Sequence, residues 1–492
     1  MQNESPVKQI VSQKHIRINV LTLFGMVYLG MISSALYFIY RNYAYDDPFI
    51  TYRYSFNLSH GLGFVYNIGQ KTLSTTTPLF TLTLAALSFF WRNIPHVANL
   101  IGAISIAAGA LCLYDLSRSW KTPWVGWVSL LLYPTLPLMT NTIGSETPLY
   151  LAFILGAFAA YARKHFSITA VCIGLATLTR PDGILVAIVL GLAYILQHHG
   201  QILWKPALIL AGMLMIWYGF AWFYFGSPLP VTLMVKHQQG LMTISQKFAP
   251  GLFTILGWYF KNWPYWLLAF LGLIGLIRAF WRRSSFRMIL LWTGVYFLSY
   301  SILGITRYFW YYAPLVPGFI IAVGSGLEEL IAWISLRWPK LKKGPVLAVL
   351  VLGGFSIWQF SQIWKSAQTS DPRYPVYAKT GIWLNENTPP GAKIGALEVG
   401  IIGYYAQRTM IDFAGLIQPE IAAQFKEKTT YEDAMLWAVQ HYNPDYLVLQ
   451  DSLFNNFQEK FVSANCRKIK IIEDETRRYP NDIIIYQCYT NF

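Results

Sequence analysis

Eleven apolar stretches separated by short polar connections occupy residues 18–40, 96–116, 124–140, 148–162, 166–179, 183–198, 206–224, 264–280, 288–304, 311–332 and 345–364. A helix needs about 20 apolar residues to cross the hydrocarbon layer, or somewhat fewer when anchoring residues flank it. The pattern therefore predicts a polytopic α-helical membrane domain over residues 1–365 with eleven spans. A twelfth stretch, 79–91, runs only from Pro78 to Trp91 and is placed on the membrane surface. After residue 365 the pattern changes to that of a soluble unit. Strand-like runs at Lys393–Leu397, Tyr446–Leu449, Ile469–Ile472 and Ile483–Tyr486, with helix-like segments at Ala378–Asn385 and Tyr431–His441, predict an α/β domain over 366–492.

Composition agrees with this division. Of 492 residues, 55% are hydrophobic and 12% charged, where a soluble chain carries about 25% charged residues. The net charge of +15 splits into +18 for residues 1–365 and −3 for the tail. A basic surplus often marks nucleic-acid binding, but here it follows the positive-inside rule. Sixteen basic residues fall in the short loops of one side: Lys8, Lys14 and Arg17, then Arg118, Lys121, Arg163, Lys164 and Lys205, then Arg278, Arg282, Arg283 and Arg287, and finally Arg337, Lys340, Lys342 and Lys343. Nine are spread through the longer loops of the other side. The amino terminus is accordingly expected in the cytoplasm, with the first outer loop (41–95) and the tail domain outside. No small-residue cleavage site precedes Arg41, so the first span is expected to be retained. Cys466 and Cys488 flank a predicted hairpin in that outer domain and are candidates for a disulfide.

Acidic residues are the scarcer signal. Residues 1–365 contain eight, and four of them (Asp46, Asp47, Glu146 and Asp182) fall on the predicted outer side. Ionisable groups at membrane depth are costly and mark functional sites by default. Asp46-Asp47-Pro48 follows the first span. Asp47 can cap a helix starting at Pro48, which leaves Asp46 as a general base whose pKa burial and a like charge would raise. The aromatic-rich segment Phe49–Leu58 is predicted to be an amphipathic helix lying along the headgroups. On the same side Arg53, Arg180, Lys236, His237 and Arg307 are candidate phosphate ligands; each is equally readable alone as an interfacial anchor. A Mg²⁺ or Ca²⁺ held by Asp46 and Glu146 is chemically allowed, though no metal-binding spacing specifies it.

Several of these segments resemble polyprenyl-phosphate-dependent glycosyltransferases of the GT-C fold. The resemblance is to the branch that contains the mycobacterial terminal arabinofuranosyltransferases. It is carried by Asp46-Asp47, Arg53-Tyr54, Gly61-Leu62-Gly63 and Thr77-Pro78-Leu79 in the first loop, and by Glu146-Thr147-Pro148 and Arg180-Pro181-Asp182-Gly183. Further on it includes Gly226-Ser227-Pro228-Leu229-Pro230 with Lys236, Tyr311-Tyr312-Ala313-Pro314, and the tail segments Glu398–Tyr405 and Ile411–Leu416. Gln70 and Leu73–Thr76 depart from the usual pattern. The resemblance implies an inverting enzyme of a bacterial plasma membrane. Such an enzyme moves a sugar, a pentofuranose such as arabinose included, from a polyprenyl phosphate to an extracytoplasmic glycan, lipid or protein acceptor. Asp46 would be the base, Asp47 its neighbour and Glu146 a second acid, and Arg53, Arg180, Lys236, His237 and Arg307 would serve the donor phosphate. A lipid-linked oligosaccharide polymerase or ligase would also use outer cations. A transporter would instead need mid-bilayer charges and related halves, and no repeat is present.

Overall fold

The computed structural model describes residues 20–242, 245–281, 286–337, 344–368, 371–475 and 478–489. Lys8, Lys14, Arg17, Arg282, Arg283, Lys340, Lys342 and Lys343 lie outside them.

Each of the eleven apolar stretches contains helix, and two of them are interrupted. In chain order the helices are α1 (Val20–Tyr40), α2 (Pro48–Ser59), α3 (Pro78–Ser88), α4 (Ile94–Ser119), α5 (Pro123–Leu132), α6 (Pro137–Thr140) and α7 (Thr147–Ala162). They continue with α8 (Phe166–Thr179), α9 (Ile184–Gln197), α10 (Trp204–Phe225), α11 (Thr232–Gln239), α12 (Phe248–Phe260) and α13 (Pro264–Trp281). The last of the bundle are α14 (Arg287–Ile302), α15 (Val316–Arg337) and α16 (Gly344–Gln368). Among the described residues four helical segments are long and apolar enough to span a membrane by themselves: Val20–Tyr40, Ile94–Ser119, Trp204–Phe225 and Phe309–Arg337. The expected span 124–140 is broken, because Pro134 and Pro137 interrupt it with a short 3₁₀ turn at Tyr133–Thr135. The start of the expected span at 311 is likewise a 3₁₀ segment, Phe309–Leu315, which contains Pro314. Helix α12 was not among the predicted elements.

Large apolar side chains on α1 (Leu23, Met26, Val27, Met31, Phe38) and α10 (Leu208, Met215, Ile216, Trp222, Phe223) point outward, as lipid-facing helices require. Inside the bundle, association depends on close packing rather than on a hydrophobic drive. Helices α13 and α15 meet backbone to backbone. A Cβ on Gly275 would lie 1.9 Å from the Ala322 carbonyl oxygen, and one on Gly326 would lie 1.8 Å from that of Leu271. At the end of the bundle where α4 and α7 finish and turn, Arg163 pairs with Asp115, and Arg278 pairs with Glu329 at 2.7 Å.

The tail domain follows with α17 (Arg373–Asn387), β1 (Lys393–Ala396), α18 (Ile401–Ala406), β2 (Thr409–Asp412), α19 (Pro419–Ala422), α20 (Tyr431–Tyr442), β3 (Tyr446–Gln450), β4 (Cys466–Ile472) and β5 (Ile483–Cys488). Its sheet has the order β2-β1-β3-β5-β4. Strand β1 runs parallel to both β2 and β3, and β5 runs antiparallel to β3 and β4. Cys466 and Cys488 face each other across β4 and β5 and are joined by a disulfide.

The expectation for Phe49–Leu58 needs correcting. Helix α2 does not lie open on a membrane surface. Phe49, Thr51, Tyr52, Arg53, Tyr54, Ser55 and Asn57 are all buried. The aromatic rings that suggested a headgroup layer pack instead against the tail domain, with Phe49 5.4 Å and Tyr52 6.3 Å from the Tyr404 ring. An aromatic face satisfies either environment, and only the position of α18 decides between them.

Replacing Gly326 with Leu is expected to force α13 and α15 apart. The cost should exceed the roughly 1–3 kcal/mol of ordinary overpacking, since the obstacle is backbone. Size-exclusion profiles and melting temperature in detergent check this; an unchanged melting temperature would remove the close contact.

Candidate active site

The first loop and the tail domain are built into one another. Asp46 Oδ1 accepts the N–H of Ile401 at 2.8 Å, and Oδ2 accepts that of Gly400 at 3.1 Å. Both are free donors at the start of α18, so Asp46 caps a helix 354 residues away in sequence. The approach is close enough that a Cβ on Gly400 would lie 2.1 Å from the Asp46 carbonyl oxygen. Arg53 makes the second tie. Its Nε donates to Tyr66 O (3.0 Å), its Nη1 to Gly403 O (2.6 Å) and its Nη2 to Arg408 O, while its guanidinium lies 4.3 Å from the centre of the Tyr66 ring. Tyr66 donates to Val399 O (2.5 Å), and Asn67 exchanges hydrogen bonds with the Met410 backbone at 2.8 and 2.9 Å.

Two chambers open beside this junction. The smaller, 360 Å³, lies between the first loop and the loops before α7 and α9; Asp47, Ser74–Thr77, Glu146, Arg180, Asp182 and Lys236 line it. The larger, 540 Å³, reaches under the tail domain. Its lining includes Asp46, Asp47, Lys236, Arg307, Arg373 and Glu398. Six residues belong to both: Tyr45, Asp47, Ile50, Lys236, Trp310 and Leu416. Asp47 and Lys236 are the charged members of this shared wall, with Lys236 Nζ 3.6 Å from Asp47 Oδ2 and 3.9 Å from the centre of the Tyr308 ring. Burial pulls the ammonium pKa of Lys236 down, but Asp47 and the tyrosines Tyr308 and Tyr311 more than reverse this, so the net direction is upward and it stays charged.

A third cavity, 1320 Å³ and mainly apolar, runs between α12, α13, α14 and α15. It shares Leu138, Ile255 and Tyr259 with the larger chamber. The unforeseen α12 supplies two of these three.

The candidate residues thus separate. Asp47 stands at the N-cap position of α2 but makes no capping hydrogen bond with its side chain; it is half-buried and faces Lys236. The capping role expected of Asp47 belongs to Asp46, on another helix. Burial and the nearby Glu398 raise the Asp46 carboxyl, against the N–H of Ile401, yet both of its oxygens are already accepting hydrogen bonds. Glu146 lines the smaller chamber, where Arg180 reaches it at 3.5 Å; burial raises its carboxyl and Arg180 opposes that. Arg180 is itself braced by Asp182 (3.0 Å) and the Tyr300 hydroxyl (2.7 Å). Arg53 is not placed to hold a phosphate, since Nε, Nη1 and Nη2 all donate to backbone carbonyls and burial has displaced solvent from it. His237 is exposed, bonded through Nδ1 to Leu303 O at 2.9 Å, and lines neither chamber. Arg307 lines the larger chamber, 5.8 Å from the Trp258 ring, with no carboxylate partner among the described residues.

A divalent cation between Asp46 and Glu146 does not fit this arrangement. Asp46 accepts two N–H groups and Glu146 is paired with a guanidinium. Among the described residues no three His, Cys, Asp or Glu side chains gather in a metal-binding group.

The residues missed from sequence come mainly from the tail: Asp371, Arg373 and Glu398 line the larger chamber, with Arg373 bonded to Asp371 (2.6 Å) and Glu398 (3.1 Å). Glu398 begins one of the motif segments quoted above. That was the available signal.

The architecture decides the class. Aligned with the crystal structure of ArnT from Cupriavidus metallidurans bound to undecaprenyl phosphate, the chain has a TM-score of 0.62 at 13% identity, covering 94% of this chain and 98% of that one. The chain has the GT-C fold. The apo ArnT structure gives a TM-score of 0.64 at 12% identity, with 95% and 98% covered. The Archaeoglobus fulgidus oligosaccharyltransferase in complex with Zn and sulfate gives 0.57 at 14% identity, covering 86% of this chain and 67% of that chain. Residues 361–486 match a family model described as a domain of unknown function (DUF8728). No curated protein sequence matches. The GT-C fold establishes a polytopic helical membrane protein with a small C-terminal sheet domain.

Replacing Arg53 with Ala would leave the Arg408 carbonyl without this donor, while the Tyr66 carbonyl keeps Asn57 Nδ2 (2.9 Å) and the Gly403 carbonyl keeps the Gln407 N–H (3.2 Å). A buried polar group left unsatisfied costs roughly 1–3 kcal/mol, so the tail should loosen from the first loop. Limited proteolysis should then cut near residues 366–373 many times faster than in the parent protein. An unchanged cleavage rate would show that the guanidinium does not hold the two parts together.

Proposed function

We propose that the chain is an inverting membrane glycosyltransferase that moves a sugar from a polyprenyl monophosphate to an acceptor on the extracytoplasmic face. The supporting observation is the continuity between the apolar cavity and the chamber in which Arg307 has no carboxylate partner among the described residues. The cavity between α12 and α15 suits a polyprenyl chain, and at Leu138, Ile255 and Tyr259 it meets a chamber holding Lys236 and the uncommitted Arg307. A lipid phosphate needs that sequence of environments, apolar first and then cationic. The basic residues of the short loops favour a cytoplasmic amino terminus and an outer tail domain in a bacterial plasma membrane.

The acceptor oxygen attacks the anomeric carbon as the bond from that carbon to the phosphate oxygen breaks, inverting the centre. The acceptor proton passes to the Asp47 carboxylate, and the electron pair of the broken bond leaves with the polyprenyl phosphate. This leaving group is a stable anion and needs no general acid; Lys236 and Arg307 stabilise its charge. We assign the base to Asp47 rather than to Asp46, because Asp47 lies on the wall common to both chambers and Asp46 is held by two N–H groups. Asp46 is then a positioning residue. Glu146 and Arg180 belong to the smaller chamber, away from the leaving phosphate.

Transfer of labelled sugar from a panel of polyprenyl-phosphate donors by the purified, full-length protein tests this. Polyprenyl-phospho-arabinose is the first donor to try, on the sequence resemblance. Asp47→Asn should lower kcat by about 10²–10⁴-fold, the usual contribution of a general base, with the donor KM little changed. Arg307→Ala should raise the donor KM. Transfer undiminished by Asp47→Asn removes the base assignment, and transfer only from diphosphate-linked oligosaccharides would make the protein a polymerase or ligase.

A further inference from the structure

Lys236 stands on a helix that cannot hold its own place. Helix α11 has eight residues, and isolated helices shorter than about 12–15 residues are marginal in water. Its position must come from its neighbours. The first loop fixes its start, through Val231 N–H to Leu73 O (3.0 Å) and Thr232 to Ser74 O. Further along, the support is the tail domain. Val235 is fully buried and belongs to the same apolar cluster as Ile411, Phe413, Leu416 and Ile421 of the tail, and Met242 joins it. Gln239, one turn after Lys236 and 2% exposed, donates through Nε2 to Ala414 O at 2.9 Å.

Ala414 lies in the loop 413–417, which one side chain shapes. Asp412 ends β2, is fully buried, and accepts three backbone N–H groups. Oδ1 takes that of Ala414 (2.8 Å), and Oδ2 takes those of Leu416 (2.6 Å) and Ile417 (3.2 Å). Gly415 N–H closes the turn on Asp412 O at 2.8 Å. Gly415 has φ +77°, and a Cβ there would lie 2.7 Å from the Ala422 nitrogen, so the loop has little room to shift. No basic side chain pairs with Asp412 among the described residues. A buried carboxyl is costly unless it is hydrogen-bonded, and here all three bonds go to one loop. Asn has a single acceptor oxygen and would turn an NH₂ toward N–H donors. The loop places Ala414 in the lining of the larger chamber and Leu416 on the wall common to both, beside Lys236.

We propose that Asp412 is a positioning residue for Lys236: it fixes the loop 413–417, whose Ala414 carbonyl holds α11 through Gln239 and so sets where the ammonium meets a phosphate. This deepens the transferase reading and rests on it for the role of Lys236. Asp412 itself lines neither chamber, so any effect it has on phosphate binding passes through the loop.

Hydrogen–deuterium exchange of the full-length protein in detergent reads the placement of α11 without any lipid. Asp412→Asn and Gln239→Met should each speed exchange in α11 several-fold, while α17 and α20 keep the parent rate. Met matches Gln in length and helix preference and removes only the donor. Gln239→Met lies outside the tail and makes the same comparison if Asp412→Asn lowers the folded yield. Binding of sugar-free polyprenyl phosphate is then measured for both variants, for Lys236→Met, and for each of them combined with Lys236→Met. Each single variant should weaken binding about tenfold, the scale of one lost hydrogen bond to a charged group. With Lys236→Met already present, neither second substitution should weaken it further, because residues acting through one chain of contacts are not additive. The donor KM should rise with the loss of binding, whereas a smaller folded fraction would lower kcat and leave KM alone. Unchanged exchange in α11, or equal speeding of α17 and α20 in Gln239→Met, overturns the proposal whether or not transfer is ever observed. Additive weakening also overturns it, since Asp412 would then act apart from Lys236. If Lys236→Met weakens binding and the other two variants do not, the proposal falls and the transferase reading stands. If Lys236→Met binds the lipid phosphate as the parent does, the phosphate role of Lys236 falls and the proposal falls with it.

Discussion

The carboxylate of Asp46 is the point on which the arrangement of the site depends. Two adjacent acids after the first span could have faced the same way. By taking the N–H groups of Gly400 and Ile401, Asp46 turns toward the tail domain and leaves Asp47 at the wall shared by the two chambers. The contact tolerates no side chain at residue 400. Arg53, Tyr66 and Asn67 repeat the same solution nearby, with side chains of the first loop satisfying backbone groups of the tail. Hydrogen bonds of this kind are directional, so they set orientation as well as distance. A tail held in this way cannot be a loosely tethered accessory. It supplies Leu397, Glu398, Val399, Ala414 and Leu416 to the larger chamber.

The three cavities form an ordered series from apolar to one lined by charges of both signs to one rich in hydroxyls. Their boundaries are narrow. Leu138, Ile255 and Tyr259 join the first to the second, and Asp47 with Lys236 joins the second to the third. Lys236 is brought there by α11, a short helix whose chain is tied to the first loop through Val231 N–H to Leu73 O (3.0 Å) and Thr232 to Ser74 O. The close α13–α15 contact belongs to the same design, since it forms one side of the apolar cavity. At the other end of the bundle Arg163 pairs with Asp115 and Arg278 with Glu329, away from the chambers.

Much of this was legible from the chain. The apolar stretches became helices, two of them interrupted by prolines, and the strand-like runs of the tail became strands of a small sheet. The scarcity of acids pointed to one end of the bundle, and Asp46, Asp47, Glu146 and Asp182 do line the chambers there. What failed did so for identifiable reasons. Helix α2 read as a membrane-surface helix because aromatic rings suit lipid headgroups and a protein interface equally. Arg53 read as a phosphate ligand because a guanidinium binds carbonyls as readily as phosphate oxygens, and periodicity does not show which is nearby. Strand β2 is only four residues long and is fixed by its parallel neighbour β1 rather than by its own pattern.

The sequence alone determined the properties that are local in origin: which segments are apolar enough for helix in lipid, and which few acids and cations could carry chemistry. Those follow from transfer free energies and backbone propensities that act residue by residue. Only the tertiary structure decided which of Asp46 and Asp47 stands on the wall common to both chambers, that Arg53 is a structural tie, and that Glu398 reaches the site from the far end of the chain. These outcomes depend on contacts between residues hundreds of positions apart, such as Asp46 with Gly400, and no local pattern encodes the direction in which a carboxylate finds its donor.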